Sequence, residues 1–296
     1  MKTVVHMREI MEMKRKKRIL FILLAILLAL ILPGFYNELK VVSYELPAKG
    51  VTQSIRIALV TDLHSCAYGE GQETLLRAIE EQAPDLVLLG GDIFDNSLPN
   101  DNATAFLRGV GGKYPCFYVT GNHEYWSGEA AFDEKMAILE QCGIIRLRGE
   151  RVAMEINGTA IDLCGVDDPF AWADNGYPIE NADDSFHGQV TRLAGLPKEG
   201  RYTILLTHRP EKFDFYSQYD FDLVLAGHAH GGQWRVPGLV NGIYVPNQGL
   251  FPPYAGGEYR QNGTVMIVSR GLARESNRIP RFYNRPELVI IDLLPE

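Results

Sequence analysis

Cysteine is scarce in this 296-residue chain, and basic residues are outnumbered. The four cysteines, Cys66, Cys116, Cys142 and Cys164, form no CxxC pair, which excludes a zinc finger or a thioredoxin-type redox motif on spacing. Cys116 and Cys164 lie in apolar runs and read as small core residues. A domain this large needs no disulfide to hold its core. Lys and Arg total 29 against 37 Asp and Glu, a net charge of −8. The chain therefore lacks the basic footprint that general nucleic-acid binding requires. Glycine and proline are ordinary, and no internal repeat occurs, so a fibrous, disordered or solenoid protein is excluded too. What remains is a chain that is 46% hydrophobic and long enough to bury a large core, as one large domain or two modest ones.

The charge that is present is unevenly placed. Residues 1–18 hold seven Lys or Arg against Glu9 and Glu12, a basic leader on an otherwise acidic chain. Its end, "KRKKR", runs directly into the uncharged stretch Ile19 to Leu32. Those residues rise about 21 Å as a helix, and continuing through Tyr36 gives about 27 Å, just enough to span a bilayer core. The rival reading is a cleaved signal peptide. No small-residue cleavage site follows Leu32, so an uncleaved single-pass anchor is preferred. Either way the basic flank stays in the cytoplasm and the remainder lies outside it. The organisation expected is a leader at 1–18, an anchor at 19–36, a linker at 37–54 and a domain at 55–296.

Within that domain one pattern recurs. "IRIALV" runs into Asp62-Leu63-His64, "DLVLLG" into Gly91-Asp92 and "CFYVT" into Gly121-Asn122-His123-Glu124. "YTILLT" runs into His208, and "DLVLAG" into His228-Ala229-His230. Each is a short apolar run, the signature of a strand covered on both faces. Helical spacing appears over 71–82 and 128–143, and Asn157-Gly158 marks a hairpin. After Trp234 the chain turns β-rich, so two packed sheets with helices outside are expected. Residues 165–188 read as a long loop, and 37–54 as an exposed lead-in with one edge strand at most.

Five of the seven histidines follow apolar strands directly; His6 and His187 read as bystanders. Strand ends are where α/β sheets gather their ligands. His228 and His230, at i and i+2 in an extended chain, point the same way, and Gly227, Gly231 and Gly232 let backbone crowd around them. Asp62, His64, Asp92, Asn122, His208, His228 and His230 make seven candidate metal ligands. That is too many for one tetrahedral ion, and suits two divalent ions (Mn, Fe, Zn or Co) sharing one carboxylate. Such a pair clamps a phosphoryl centre and generates hydroxide at neutral pH, leaving His123 as proton donor to the leaving group. Plainer jobs exist: helix caps for Asp62 and Asp92, a turn former for Asn122, a structural imidazole for His208. They leave the clustering unexplained.

The order Asp62-x-His64, Gly91-Asp92, Gly121-Asn122-His123-Glu124, His208, Gly227-His228-x-His230 closely resembles the calcineurin-like metallophosphoesterase superfamily. "GHAHGGQ", "GVDDP" at Gly165 to Pro169 and the ending "NRPELVIIDL" resemble its membrane-associated bacterial phosphodiesterase branch. The resemblance implies a four-layer αββα sandwich of two mixed sheets behind the anchor helix. It implies that Asp62, His64 and His230 bind one metal, that Asn122, His208 and His228 bind the other, and that Asp92 bridges. It also implies that Asp95 orients or charges His123. Asn96-Ser97 stand where protein phosphatases of the superfamily continue with Arg-Gly, which argues against a protein substrate.

The function expected is hydrolysis of a phosphodiester or pyrophosphate at or near the membrane, such as a lipid headgroup, wall precursor or nucleotide. A catalytically idle, anchored binding protein is the alternative; a one-metal acyl hydrolase fits the ligand count poorly. Around the site, Glu124 is either a supporting residue or solvated. Asp167 and Asp168 either shape the substrate loop or make an Asx turn before Pro169. Trp234, Phe251 and Tyr254 either line a pocket or fill core, the core reading being preferred.

Overall fold

The computed structural model describes residues 2–174, 177–178, 181–274 and 279–296. The strands are β1 (Lys40–Ala48), β2 (Ile55–Val60), β3 (Leu86–Gly90), β4 (Cys116–Val119), β5 (Ile145–Arg146), β6 (Glu150–Ile156), β7 (Thr159–Gly165), β8 (Ala173–Asp174) and β9 (Tyr177–Pro178). They continue as β10 (Tyr202–Leu206), β11 (Leu223–Ala226), β12 (Tyr244–Val245), β13 (Gly249–Leu250), β14 (Gly257–Gln261), β15 (Thr264–Val268) and β16 (Glu287–Pro295). The helices are α1 (Lys2–Ile31), α2 (Glu73–Gln82), α3 (Asp101–Val110), α4 (Asn122–Trp126), α5 (Glu129–Gln141), α6 (Ala182–Ala194) and α7 (Phe213–Tyr216).

Two six-stranded sheets result, ordered β1-β16-β2-β3-β4-β5 and β14-β15-β11-β10-β7-β6. Both are mixed: β2, β3 and β4 run parallel, while β16 lies antiparallel to β2. Side-chain alternation along each strand sorts residues into layers. Ile57 and Leu59 of β2 and Leu86 and Leu88 of β3 join Leu163, Leu206 and Leu225 of the second sheet in one core between the sheets. Ala58, Val60, Val87 and Leu89 face outward into a second core with Leu75, Ile79 and Phe106 of α2 and α3. A third core places Phe186 and Val190 of α6 and Tyr216 of α7 on the far face of the second sheet. The order helices, sheet, sheet, helices is the expected four-layer arrangement. Each buried Leu, Ile or Val contributes about 1.5–3 kcal/mol to holding it.

Local chemistry sets the element ends. α2 buries Leu75 and Ile79 and stops at Ala83, in the left-handed region before Pro84. Gly143, at φ +70°, ends the chain's course out of α5. Asn157 and Gly158 take φ +50° and +75°, the pair a tight hairpin between β6 and β7 demands.

The structure also departs from the sequence reading. The edge strand that the 37–54 lead-in left room for is present in full as β1, paired in parallel with β16 over nine residues, so the stretch is part of the sheet as well as a lead-in. The stretch 165–188 is not a plain loop: it holds a 3₁₀ turn at Pro169–Trp172, the β8-β9 ribbon and the start of α6. The acidic opening of α6 hides a helical stripe of Ala182, Phe186, Val190 and Leu193. The apolar stretch is helical well before Ile19, since α1 includes the basic leader. One N-terminal helix, Met11–Phe35 with its closing 3₁₀ turn, is long and apolar enough to cross a membrane. Its far end touches the body, where Phe35 packs edge-on against Phe282 at 5.1 Å and Gly34 accepts from the Tyr283 amide. Cys116, Cys142 and Cys164 are free thiols.

Candidate active site

The strand ends of both sheets meet at one place. Asp62 and His64 follow β2, Asp92 follows β3, and Asn122 and His123 open α4 after β4. His208 follows β10, and His228 and His230 follow β11 in the other sheet. The five segments therefore do not lie side by side in one sheet, as a single row of strands would have them. Three come from one sheet and two from the other, and they converge across the gap.

The backbone there is bent hard. Asp62, His64, Asp92, His228 and His230 take φ of 51°, 47°, 52°, 66° and 46°, a region L-residues other than Gly rarely enter. Each costs about 1–3 kcal/mol and persists only because neighbours fix it. The Asp62 amide donates to the Gly91 carbonyl at 3.0 Å and the His64 amide to the Asp92 carbonyl at 2.9 Å. Neither Asp62 nor Asp92 starts a helix, so the capping alternative fails. The glycines make room for the carboxylates. A Cβ on Gly227 would sit 2.6 Å from Oδ2 of Asp62, and one on Gly121 would sit 2.2 Å from Oδ1 of Asp92.

Three groups of donor atoms result among the described residues, each drawn within 4.8 Å: Asp62, His64 and His230; Asp92, His208 and His228; and His64, Asp95 and His123, which shares His64 with the first. Asp92 faces the first two. Its Oδ2 lies 3.1 Å from Nε2 of His208 and 3.7 Å from Nε2 of His64. Asp62 Oδ1 lies 3.6 Å from Nε2 of His230, while both its oxygens accept from the His228 amide. Nδ1 of His208 donates to the Gly90 carbonyl at 2.8 Å, which turns Nε2 inward toward Asp92. Nδ1 of His64 meets Asp95 at 3.1 Å with the same effect. Asn122 is buried beside them, and its Oδ1 has no hydrogen-bond partner; the same holds for Nε2 of His64, Nε2 of His208 and Nδ1 of His230. Buried polar atoms left unpaired on this scale need an explanation. Imidazole nitrogens, an amide oxygen and carboxylates pointing at common centres are a donor set that fits divalent cations.

Electrostatics agree. Burial works against charge on Asp92, but His208, His123 and His64 outweigh it and hold its carboxyl well below the usual range. Burial would lower His208, yet Asp92 beside it carries the imidazole up to about 10. His228 and His230 are pushed well below the ordinary histidine value, by burial first, with the Arg209 guanidinium adding to it for His228. They are neutral, as a metal ligand must be.

Asp95 and His123 stand at the edge of this cluster. Asp95 Oδ2 is 3.4 Å from Nδ1 of His123, as well as bonded to His64. Its other oxygen accepts from the amides of Ser97 and Leu98 and the Ser97 hydroxyl, which fixes it in place. Burial opposes ionisation of Asp95, but bonds from His123 and His64 keep it charged. Burial pulls His123 down, and Asp92 and Asp95 more than restore it, so its pKa is raised.

Supporting residues appear that spacing alone left undecided or missed. Glu124 is fully buried; its carboxylate accepts from the amides of Gly121, Asp92 and Phe94 and ties two site loops together. Asp168 makes the Asx turn, accepting from the Phe170 amide, and also pairs with the buried Arg209. Asp167 pairs with Arg146 at 2.8 Å, on the far side of Thr120. Arg209 Nη1 in turn reaches Nε2 of His228 at 2.9 Å. The buried Lys135 was not anticipated: its Nζ donates to the Asp95 carbonyl at 2.9 Å and also reaches the His123 carbonyl and Ser127. It sits on the inner face of α5 beside Leu139, where helical periodicity marks the position and a charged residue hides it. His187 lies away from the cluster, its ring tilted against Phe215 at 4.1 Å, and the side chain of His6 lies outside the described residues.

A cavity of about 570 Å³ opens from the cluster, with Asp92, Asn122, His123, His228 and His230 at its floor. Here the preferred core reading of the aromatics needs correction. Trp234 lines the cavity wall and is 42% exposed, and Phe251 is 68% exposed. Both follow turns at positive φ, which swing them outward rather than into a layer. Only Tyr254 packs inward, edge-on to Phe213 at 5.6 Å.

Known proteins resemble this chain in sequence and in fold. An uncharacterized metallophosphoesterase of Campylobacter jejuni is 30% identical over 219 residues, which is 70% of this chain and 54% of the relative. The chain thus spans about half the length of that relative. The Bacillus subtilis metallophosphoesterase YkuE is 28% identical over 244 residues, 80% of this chain and 78% of its own. Two solved structures share the fold at a TM-score of 0.50: a phosphopantetheinyl hydrolase from Mycobacterium tuberculosis (12% identity, 85% of this chain and 98% of that one) and a 5′-nucleotidase precursor from Thermus thermophilus (13% identity, 81% and 54%). Residues 55–232 match the profile of the calcineurin-like phosphoesterases, and this stretch carries every residue of the cluster, so the chain belongs to the calcineurin-like phosphoesterase family.

Proposed function

We propose that the protein hydrolyses phosphate esters with two divalent cations, and that phosphodiesters or pyrophosphates suit it better than monoesters. The observation that carries this reading is Asp92, whose one carboxylate faces His208 and His64 at once. Asp62, His64 and His230 would hold one cation; Asn122, His208 and His228 would hold the other; Asp92 would touch both. When bound, such a pair neutralises phosphoryl oxygens and lowers the pKa of water toward about 7. The chain's own residues do the rest. Asp95 and the Gly90 carbonyl hold His64 and His208 in the tautomer that presents Nε2. His123 turns Nδ1 toward Asp95, which leaves Nε2 toward the cavity to give a proton to the departing oxygen. Its raised pKa keeps that proton available near neutrality. The acidic residues of the cluster are all in place, which argues against an idle binding protein.

The basic run before the apolar helix supports a membrane anchor with the catalytic body outside the cytoplasm. Turnover of a chromogenic phosphodiester with Mn²⁺, abolished by His228→Ala and by Asp92→Asn, is the expected result. Absence of turnover with any of Mn²⁺, Fe²⁺, Co²⁺ or Zn²⁺ would overturn the proposal.

A further inference from the structure

The floor of the cavity is polar, and its wall is not. Above the histidines stand Trp126, Trp234, Ile243, Tyr244, Pro246 and Ile279. No Lys, Arg, Asp or Glu lies among the described wall residues; Nε2 of Gln233 is engaged by the Ile279 carbonyl and the Trp234 indole N–H by the Pro280 carbonyl, so polar groups are few along the wall. A nucleobase or sugar buried against this wall would leave its polar edge unpaired, which costs affinity steeply. An alkyl chain would not.

The wall also continues outward as exposed apolar surface. Tyr244 pairs with Leu250 across the β12-β13 ribbon, and Leu250, Phe251 and Ile279 are 68%, 68% and 59% exposed. From Trp234 a chain of rings leads away from the cavity: Trp234 to Phe282 at 5.6 Å, then Phe282 to Phe35 at 5.1 Å. Phe35 closes the apolar N-terminal helix, and the Tyr283 hydroxyl donates to the Leu30 carbonyl of that same helix. The cavity mouth is thus physically joined to the end of the apolar helix. Exposed apolar surface rimmed with aromatics, at the level where such a helix stops, belongs to a membrane interface.

We infer that the substrate is an amphiphile: a phosphate ester carrying a long hydrocarbon chain, with its phosphoryl group over the histidine floor. The chain runs along Trp234, Tyr244 and Ile279 and leaves over Leu250 and Phe251 toward the bilayer. This rests on the phosphoesterase reading above. Water oxygen bonds to phosphorus and gives up a proton to solvent, the ester P–O bond breaks, and the leaving oxygen takes a proton from His123, which regains one from solvent.

The test uses the full chain in phosphatidylcholine vesicles with Mn²⁺ and a series of alkyl p-nitrophenyl phosphates, methyl to octyl, below their micelle concentrations. A fully buried methylene is worth about fourfold, so kcat/KM should rise by at least ~100-fold from methyl to octyl. Partitioning into vesicles also favours longer chains, so the wall must be tested directly. Ile279→Ser with Tyr244→Ser should cut the octyl-to-methyl ratio about tenfold or more. Equal turnover across the series, an unchanged ratio in the double variant, or preference for thymidine p-nitrophenyl phosphate over the octyl ester would overturn the amphiphile while leaving a phosphoesterase. Turnover of none of these esters, with cations bound, would overturn the phosphoesterase reading itself.

Discussion

Oδ2 of Asp95 lies 3.1 Å from Nδ1 of His64, closer than its 3.4 Å approach to His123. One carboxylate therefore orients a proposed metal ligand and the proposed proton donor together. Asp95→Asn should weaken Mn²⁺ binding about 10–100-fold, the usual effect of losing a partner behind a ligand. It should also lower kcat about 10²–10⁴-fold, because His123 loses the charge that holds its proton. His123→Asn should lower kcat alike and leave Mn²⁺ binding intact. Titration calorimetry alongside steady-state kinetics separates the two; an Asp95→Asn protein with normal metal affinity would confine Asp95 to His123.

Gly227 meets a constraint of space rather than of backbone hand. Its missing Cβ is what lets Asp62 approach the start of the His228 loop. Gly227→Ala should displace Asp62 and lower the bound metal from two ions toward one per chain. The same Cβ would also sit 2.7 Å from Cβ of the buried Thr61, so the end of β2 must give as well, and the fold should lose some stability without unfolding. Metal analysis and circular dichroism check both halves. Full metal content would show that the loop gives way cheaply.

The strands that carry the site were readable because burial on both faces leaves a short unbroken apolar run, and the ligands stand directly after each run. The hairpin at Asn157-Gly158 was readable because its turn admits few residue types. Other features were hidden by tertiary context. α6 opens on Asp183 and Asp184, which mask its apolar stripe. That three segments come from one sheet and two from the other depends on long-range pairing, which no local pattern encodes. Lys135 and Arg209 look like surface residues in sequence, and only the structure shows the partners that make their burial tolerable. Trp234 and Phe251 have core composition, but the turns before them point them to the cavity and to solvent.

Buried carboxylates and lone pairs facing each other are costly in the metal-free chain, so cations should stabilise the fold measurably. At a hundred times its Kd, a bound ion adds about 2.7 kcal/mol. Adding Mn²⁺ to chelator-treated protein should raise the melting temperature by several degrees. His208→Ala should lose much of that rise, because it removes one of the proposed ligands beside Asp92. A melting temperature indifferent to Mn²⁺ and EDTA would count against a cation at this centre.

Lys135 is the remaining buried charge with a consequence. Its ammonium joins the carbonyls of Asp95 and His123, fastening the loop of one to the helix of the other. Lys135→Met keeps the volume and removes the donors, leaving those carbonyls unpaired at a cost of about 1–3 kcal/mol. Burial lowers the Lys135 pKa, and Glu124 and Asp95 only partly offset this. Between that lowered value and the ordinary one the unfolded chain holds the extra proton. The lysine's contribution to stability therefore rises with pH across that window. Denaturant titrations of wild type and Lys135→Met should differ more near pH 10 than at pH 7. Because the fastening joins the loop of Asp95 to the helix of His123, kcat should fall by a larger factor than Mn²⁺ affinity, which is reached only through the Asp95 contact with His64. A variant that melts early but retains full kcat would make Lys135 a residue of the fold alone.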